Sequence, residues 1–132
     1  MLRLDLGNNN IVNVDAVCGC SELSELWIDQ NELPALPAAL PSLAKLSFLE
    51  AGGNLVARLP GELHRLNSLV SLHLQYNRLT HLPALLPPSL VTLNLHSSRL
   101  AALPPGVGLC IGLQAVSTEQ PALYGVWVHS YI

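Results

Sequence analysis

The residues with the greatest chemical capacity in this chain are its three cysteines. Cys18 and Cys20 are one residue apart and could bind a metal ion together, while Cys110 could act as a nucleophile. A zinc site needs about four ligands, and no second pair lies near Cys18 and Cys20. Cys110 has no clear base beside it. We therefore interpret the pair as small buried residues and predict no metal, no cofactor and no catalytic residue.

Two further patterns could carry chemistry, and neither is specific. His73 and His96 lie one repeat apart and could approach each other across adjacent strands, as a metal-binding or pH-sensitive pair. Histidines that face solvent or a partner are much commoner. The stretch Gly106-x-Gly108-x-x-x-Gly112 is one residue too long for a dinucleotide-binding loop, and no long helix follows it. The sequence therefore predicts that this chain is not itself an enzyme.

A repeat dominates the sequence and decides how any functional residue is positioned. Residues 69–83 read L-x-x-L-x-L-x-x-N-x-L-x-x-L-P, and thirty residues of the chain are leucine. Copies of this frame begin at Met1, Leu23, Leu46, Leu69 and Leu90, at intervals of 22, 23, 23 and 21 residues. A degenerate sixth copy begins at Leu113. We therefore predict an array over residues 1–118 and a tail outside the repeat over residues 119–132.

Each place of the frame has a structural role. Places 3–7 alternate as a short strand does, so successive copies should stack their strands in parallel. The asparagine at place 9 can donate and accept hydrogen bonds in the turn that follows. We expect Asn9, Asn31, Asn54 and Asn77 to form a ladder, and Ser98 to give a looser turn. Residues 59–66 suit a short helical or 3₁₀ segment, whereas the prolines of residues 82–88 favour an extended chain. The returns of the copies should therefore be mixed, with little long helix.

These motifs resemble leucine-rich repeats. The half-repeat L-P-x-x-L-x-x-L-x-x-L, in residues 36–46 and 59–69, is similar to the 22–23-residue intracellular class found in Ras-group and scaffold proteins. The shorter return of residues 82–90 is more similar to bacterial effector ubiquitin ligases, and the first copy to phosphatase regulators. The resemblance implies an α/β solenoid, a horseshoe segment with a parallel β-sheet on its concave face. It also implies that the concave face binds proteins.

The outward places 3, 5, 7 and 8 should form that concave face. All three aromatic residues of the regular copies, Trp27, Phe48 and Tyr76, fall there, and aromatic residues are common interface anchors. The alternative is that they pack on one another across the strands. The acidic residues Asp5, Glu25, Asp29 and Glu50 lie nearby. The predicted partner-binding residues are Trp27, Asp29, Phe48, Glu50, His73, Gln75, Tyr76, Asn94 and His96, and they suit a partner with a basic and partly apolar patch.

Composition limits the remaining choices. The formal net charge is −3 and the six Lys and Arg residues are scattered singly, so no nucleic-acid or membrane partner is predicted. The odd number of cysteines and the absence of a signal sequence favour a cytoplasmic location. Neither end carries a polar cap, from which we expect a piece of a longer array or self-association through the ends.

The predicted function is therefore a non-catalytic protein-interaction module. The alternative is the recognition part of a larger enzyme, such as a ubiquitin ligase or a kinase, whose catalytic domain lies outside this chain. A catalytic domain encoded downstream would decide for the alternative.

Overall fold

The computed structural model describes residues 2–118, which form one parallel sheet of six strands. The strands follow one another across the sheet in chain order, and each pairs with the next. Each strand includes places 3–5 of its copy, because the frame repeats the same inward and outward positions at a nearly constant interval. The predicted solenoid with a parallel sheet is confirmed. The strands are β1 (Leu2–Asp5), β2 (Leu23–Trp27), β3 (Phe48–Glu50), β4 (Ser71–His73), β5 (Thr92–Asn94) and β6 (Ala115–Ser117).

The returns between strands contain only short helical segments, as predicted. Four of them contain 3₁₀ segments, and the amide that follows each segment bonds the carbonyl three residues back, as Leu66 bonds Leu63 at 3.1 Å. The proline-rich return between β4 and β5 contains no helix. In residues 2–118 no helix is long and apolar enough to cross a membrane. The 3₁₀ segments are Asp15–Gly19, Leu40–Ser42, Leu63–Arg65 and Pro105–Leu109.

The core consists of columns of inward leucines, one from each copy. Leu49 at place 4 of the third copy is fully buried between Leu26 and Leu72, with which it is in register. Burying a leucine side chain contributes about 1.5–3 kcal/mol, and each needs the neighbouring copy to cover it. In the first copy, Leu4 is only half-buried and Leu2 is 46% exposed. The stacking of copies therefore provides most of the stability.

The asparagines at place 9 join each copy to the one before it. Asn54 Nδ2 donates to the carbonyls of Ala51 in its own copy and of Ile28 in the preceding copy, while its Oδ1 accepts the amide of Leu33. Asn31 and Asn77 repeat this pattern, and all three are buried. Asn9 is exposed and bonds the carbonyls of Leu6 and Gly7.

The turn at Ser98 has the same backbone as the other turns. Ser97 has a φ of 56°, close to the 58° of Asn8, and the amide of Arg99 bonds the carbonyl of Leu79 at 2.8 Å. The same inter-copy bond joins Arg78 to Val56. The looser turn expected there is therefore not seen in the backbone, because backbone bonds to the preceding copy hold its course.

Candidate partner-binding face

The outward side of the sheet, here called the sheet face, collects the residues predicted to bind a partner. The parallel pairing puts place 5 of each copy in register with place 5 of the next, so that Trp27, Glu50, His73 and Asn94 form one row across the sheet. Place 3 forms a second row in the same way, from Glu25 through Phe48. Side chains from the two rows alternate with inward leucines, and therefore point out of the core.

Three rings form a continuous stack along the sheet face. The centroids of Trp27 and Phe48 are 4.7 Å apart, and those of Phe48 and His73 are 5.3 Å apart. The guanidinium of Arg3 lies 4.9 Å from the centroid of the Trp27 ring. We call Trp27, Phe48 and His73 the aromatic row. Its members alternate between place 5 and place 3, so each contact runs diagonally between neighbouring strands, at separations where aromatic pairs attract.

The indole of Trp27 has an unsatisfied donor. Its Nε1 is buried and has no hydrogen-bond partner among residues 2–118. A buried donor without an acceptor costs about 1–3 kcal/mol. The stack that the ring makes with Phe48 and Arg3 offsets part of that cost. A phenylalanine at this position would keep a ring in the stack without leaving a buried donor unpaired.

Tyr76 and His96 form a second ring contact, between the fourth and fifth copies. Their centroids are 5.8 Å apart and the rings meet edge to face, at 73°. Tyr76 is 58% exposed, so most of its ring faces solvent. It is the most exposed aromatic side chain among residues 2–118.

The backbone at place 8 has the same unusual conformation in five copies. Asn8, Gln30, Tyr76 and Ser97 have φ between 53° and 58°, and Gly53 has φ of 67°. This left-handed region suits glycine and asparagine, and it costs other residues about 1–2 kcal/mol. Sequence reasoning missed this feature, although asparagine and glycine at place 8 were a usable signal. The turn therefore directs Tyr76 outwards at an energetic cost.

The carboxylates of the sheet face differ in the ion pairs and hydrogen bonds that they form. Arg3 lies 3.8 Å from the carboxylates of both Asp5 and Glu25 and partly neutralises them. Glu50 accepts hydrogen bonds from the amide of Gly52 at 2.9 Å and from Nε2 of Gln75 at 3.0 Å. Both Arg3 contacts are exposed and long, so each contributes little stability.

Glycines at place 7 let neighbouring side chains cross the sheet face. A Cβ added to Gly52 would lie 2.5 Å from Nε2 of Gln75, and one added to Gly7 would lie 2.7 Å from Oδ1 of Asp29. Gln75 therefore lies flat over Gly52, and its Oε1 is buried without a hydrogen-bond partner in the described chain. The predicted contact residues Asn94 and His96 are half-buried, and Asn94 Oδ1 accepts the amide of His96 at 3.1 Å.

The cysteines lie away from the sheet face. Burial raises the pKa of the Cys18 thiol, and the nearby Asp15 carboxylate and Cys20 raise it further. Burial also raises the pKa of Cys110, whose Sγ donates to the carbonyl of Pro87 at 3.3 Å. Raised pKa values disfavour the nucleophilic thiolate. Among residues 2–118, no group of three or more His, Cys, Asp or Glu side chains could hold a metal ion.

Known proteins share both the sequence pattern and the fold. No protein-family model matches the chain. Leucine-rich repeats and immunoglobulin-like domains protein 3 of Homo sapiens is 32% identical over 108 residues, which are 79% of this chain and 10% of that protein. Toll-like receptor 9 of Ovis aries is 36% identical over 113 residues, which are 78% of this chain and 11% of that protein. The chain therefore spans about a tenth of the length of these relatives.

Two solved structures have a similar fold. A leucine-rich repeat protein of Leptospira interrogans superposes with a TM-score of 0.81 and 28% identity, over 86% of this chain and 30% of that one. Internalin C2 of Listeria monocytogenes gives a TM-score of 0.79 and 25% identity, over 88% of this chain and 50% of that one. The narrower assignment to the intracellular class stays a prediction. With the repeat frame and the parallel sheet, these likenesses identify the chain as a leucine-rich repeat protein.

Proposed function

We propose that this chain is a non-catalytic protein-interaction module that binds its partner on the sheet face. The observation that carries the proposal is the aromatic row with the exposed Tyr76 beside it. Trp27, Phe48 and Tyr76 lie on one open surface, and residues of these types supply much of the binding energy at protein interfaces. The ring contacts also hold Trp27 and Phe48 in place, so that a partner meets a preorganised surface.

The charges beside the aromatic row define the partner's chemistry. Asp29 and Glu50 are half-buried acidic residues next to the rings, and none of the ion pairs in residues 2–118 includes them. A partner that inserts an arginine or lysine beside an apolar side chain would meet both carboxylates and aromatic faces. We therefore propose a protein partner with a basic and partly apolar patch. His73, Gln75, Asn94 and His96 complete the proposed contact surface.

The proposal also includes the cellular location of the chain and its alternative function as part of a larger enzyme. Cys18 and Cys20 are free thiols, which fits the predicted cytoplasmic location. The second prediction, a recognition part of a larger enzyme, would use the same sheet face to select a substrate. A catalytic domain on a longer product of the same reading frame would favour it.

The test is selection of ligands by the full chain from a displayed library of random peptides. The expected ligands combine arginine or lysine with an aliphatic or aromatic residue. Trp27→Ala with Tyr76→Ala should weaken binding of such a peptide by about 100-fold or more, because anchor residues each contribute about 2 kcal/mol. Circular dichroism should show an unchanged fold.

The matched control changes two equally apolar residues that lie outside the sheet face. Leu109 and Ile111 are 63% and 86% exposed, and Leu109→Ala with Ile111→Ala should leave binding unchanged. Trp27→Phe keeps an aromatic ring in the stack and removes the indole N–H group. It therefore tests the N–H group separately from the ring. Binding that survives the Trp27 and Tyr76 changes, or that falls equally in the control, would exclude the sheet face as the binding surface.

A further inference from the structure

The charges of the described chain are segregated along the array. Residues 2–62 contain eight acidic against three basic residues, a formal net charge of −5. Residues 63–118 contain three arginines and no acidic residue, a formal net charge of +3. In the linear sequence the basic residues look scattered, and only the repeat frame shows that several of them share one surface.

Three arginines lie along the loops that follow the strands. Arg78 and Arg99 occupy place 10 in successive copies, and Arg58 lies at place 13 of the third copy. The amide of Arg78 bonds the carbonyl of Val56 and that of Arg99 bonds the carbonyl of Leu79, both at 2.8 Å. These bonds stack the loops as the sheet stacks the strands, about 4.8 Å apart. We call Arg58, Arg78 and Arg99 the arginine flank.

The arginine flank lacks acidic partners among residues 2–118. All three residues are exposed, and the ion pairs within residues 2–118 involve other basic residues: Arg3, Lys45 and Arg65. Guanidinium groups brought close together repel one another, and a shared anion removes that repulsion. Arginine also binds carboxylates through two parallel hydrogen bonds, which favours it where acidic groups are recognised.

An apolar residue extends the same column. Leu55 occupies place 10 of the third copy, next to Arg78, and is 39% exposed. Its amide bonds the carbonyl of Leu33, so it belongs to the same stack of loops. From Leu55 onwards the column thus presents an aliphatic side chain followed by two guanidinium groups, and the exposed Glu32 at place 10 of the second copy bounds it on the other side. That combination suits a ligand that carries carboxylates and an apolar side chain together.

We propose that the arginine flank is a second interaction surface, which binds an acidic peptide segment of a protein. Carboxylates of the segment pair with Arg78, Arg99 and Arg58, and an apolar side chain packs on Leu55. A polypeptide is favoured over a nucleic acid because the flank offers only three charges, one on each of three successive copies that stack about 4.8 Å apart. A phosphate backbone would in addition meet the eight acidic residues of the first three copies.

The test uses the full chain and a fluorescent seven-residue peptide of glutamate and leucine, with a glutamine-for-glutamate peptide for comparison. The variant R58Q/R78Q/R99Q should bind the acidic peptide about tenfold or more weakly than the native chain. The matched control, R3Q/K45Q/R65Q, removes three positive charges elsewhere on the chain. It should bind the acidic peptide as tightly as the native chain does. Nitrogen-15 NMR should show the largest amide shifts at Arg78 and Arg99.

The outcomes distinguish this surface from the sheet face. Trp27→Ala with Tyr76→Ala should leave the acidic peptide bound, whereas the arginine-flank variant should leave the basic peptides of the first selection bound. Equal loss in the two charge variants would overturn the proposal, because it would show attraction by net charge alone. Equal binding of the glutamine peptide, or tighter binding of a single-stranded oligothymidylate at the same arginines, would also overturn it.

Discussion

Replacing Asn54 by alanine should destabilise the fold far more than the same change at Asn9. The Asn54 side chain is 4% exposed and donates to the carbonyls of Ile28 at 3.0 Å and Ala51 at 3.1 Å. It also accepts the amide of Leu33 at 3.1 Å. Alanine would leave that amide and the carbonyls without this partner, in a region that water does not reach.

The cost can be worked from those contacts. A buried group left without a partner costs about 1–3 kcal/mol, and the carbonyls keep some of their other bonds, so a total of about 3 kcal/mol is expected. Asn9 is exposed, and water can replace its bonds to the carbonyls of Leu6 and Gly7. Asn9→Ala should therefore cost well under about 1 kcal/mol.

Urea denaturation followed by circular dichroism measures the difference. With an m-value of about 1.5 kcal/mol/M, Asn54→Ala should lower the midpoint by about 2 M. Hydrogen exchange at the Leu33 amide should accelerate in the same variant, since that amide loses its acceptor. Equal shifts of the midpoint in the Asn54 and Asn9 variants would refute the reasoning. Burial of the asparagine side chain would then make no difference to its contribution to stability.

Three further predictions concern the turn residues Gly53 and Tyr76 and the thiol of Cys110. Gly53→Ala should lower the free energy of unfolding by about 1–2 kcal/mol, because Gly53 has a φ of 67° and an added Cβ would lie 2.4 Å from the side chain of Gln30. Gly61→Ala, where an added Cβ meets nothing within 4 Å, should change the melting temperature little. Tyr76→Asn should raise the melting temperature or leave it unchanged while weakening binding at the sheet face, since asparagine tolerates the left-handed backbone. Cys110 should react with a thiol reagent far more slowly in the native than in the urea-unfolded chain. Because folding raises its pKa, its contribution to stability is complete below the unfolded thiol pKa and is lost as pH rises through the folded value, which a pH series of melting curves would show.

The repeat frame was sufficient to predict the fold. A leucine such as Leu72 recurs at a fixed place in each copy, and a fixed place in a stacked array has one inside or outside orientation. The strands, most of the 3₁₀ returns and the non-helical return between β4 and β5 follow from the spacing of apolar residues and prolines. The predictions for residues 119–132 lie outside the described residues.

The contacts on the sheet face could be anticipated only in part. The frame put Trp27 and Phe48 on the same side of the sheet, but whether their rings meet depends on side-chain rotamers, which spacing does not fix. The reach of Gln75 across Gly52 to Glu50 depends on rotamers in the same way. The arginine flank was missed for another reason: Arg78 and Arg99 look isolated until place 10 of one copy is compared with place 10 of the next.

The repeated backbone distinguishes the residues that the fold requires from those that do not stabilise it. The turn at place 8 requires a left-handed residue, and glycine or asparagine would serve it best. Tyr76 occupies that place with more than half of its surface in solvent, and its ring meets His96 edge to face. A residue that costs the fold energy and exposes an aromatic ring is better explained by what it binds. The same reasoning applies to Arg78 and Arg99, which occupy the same place in successive copies, are exposed, and form none of the ion pairs within residues 2–118. We therefore propose that binding, rather than folding, accounts for the residues at these outward places.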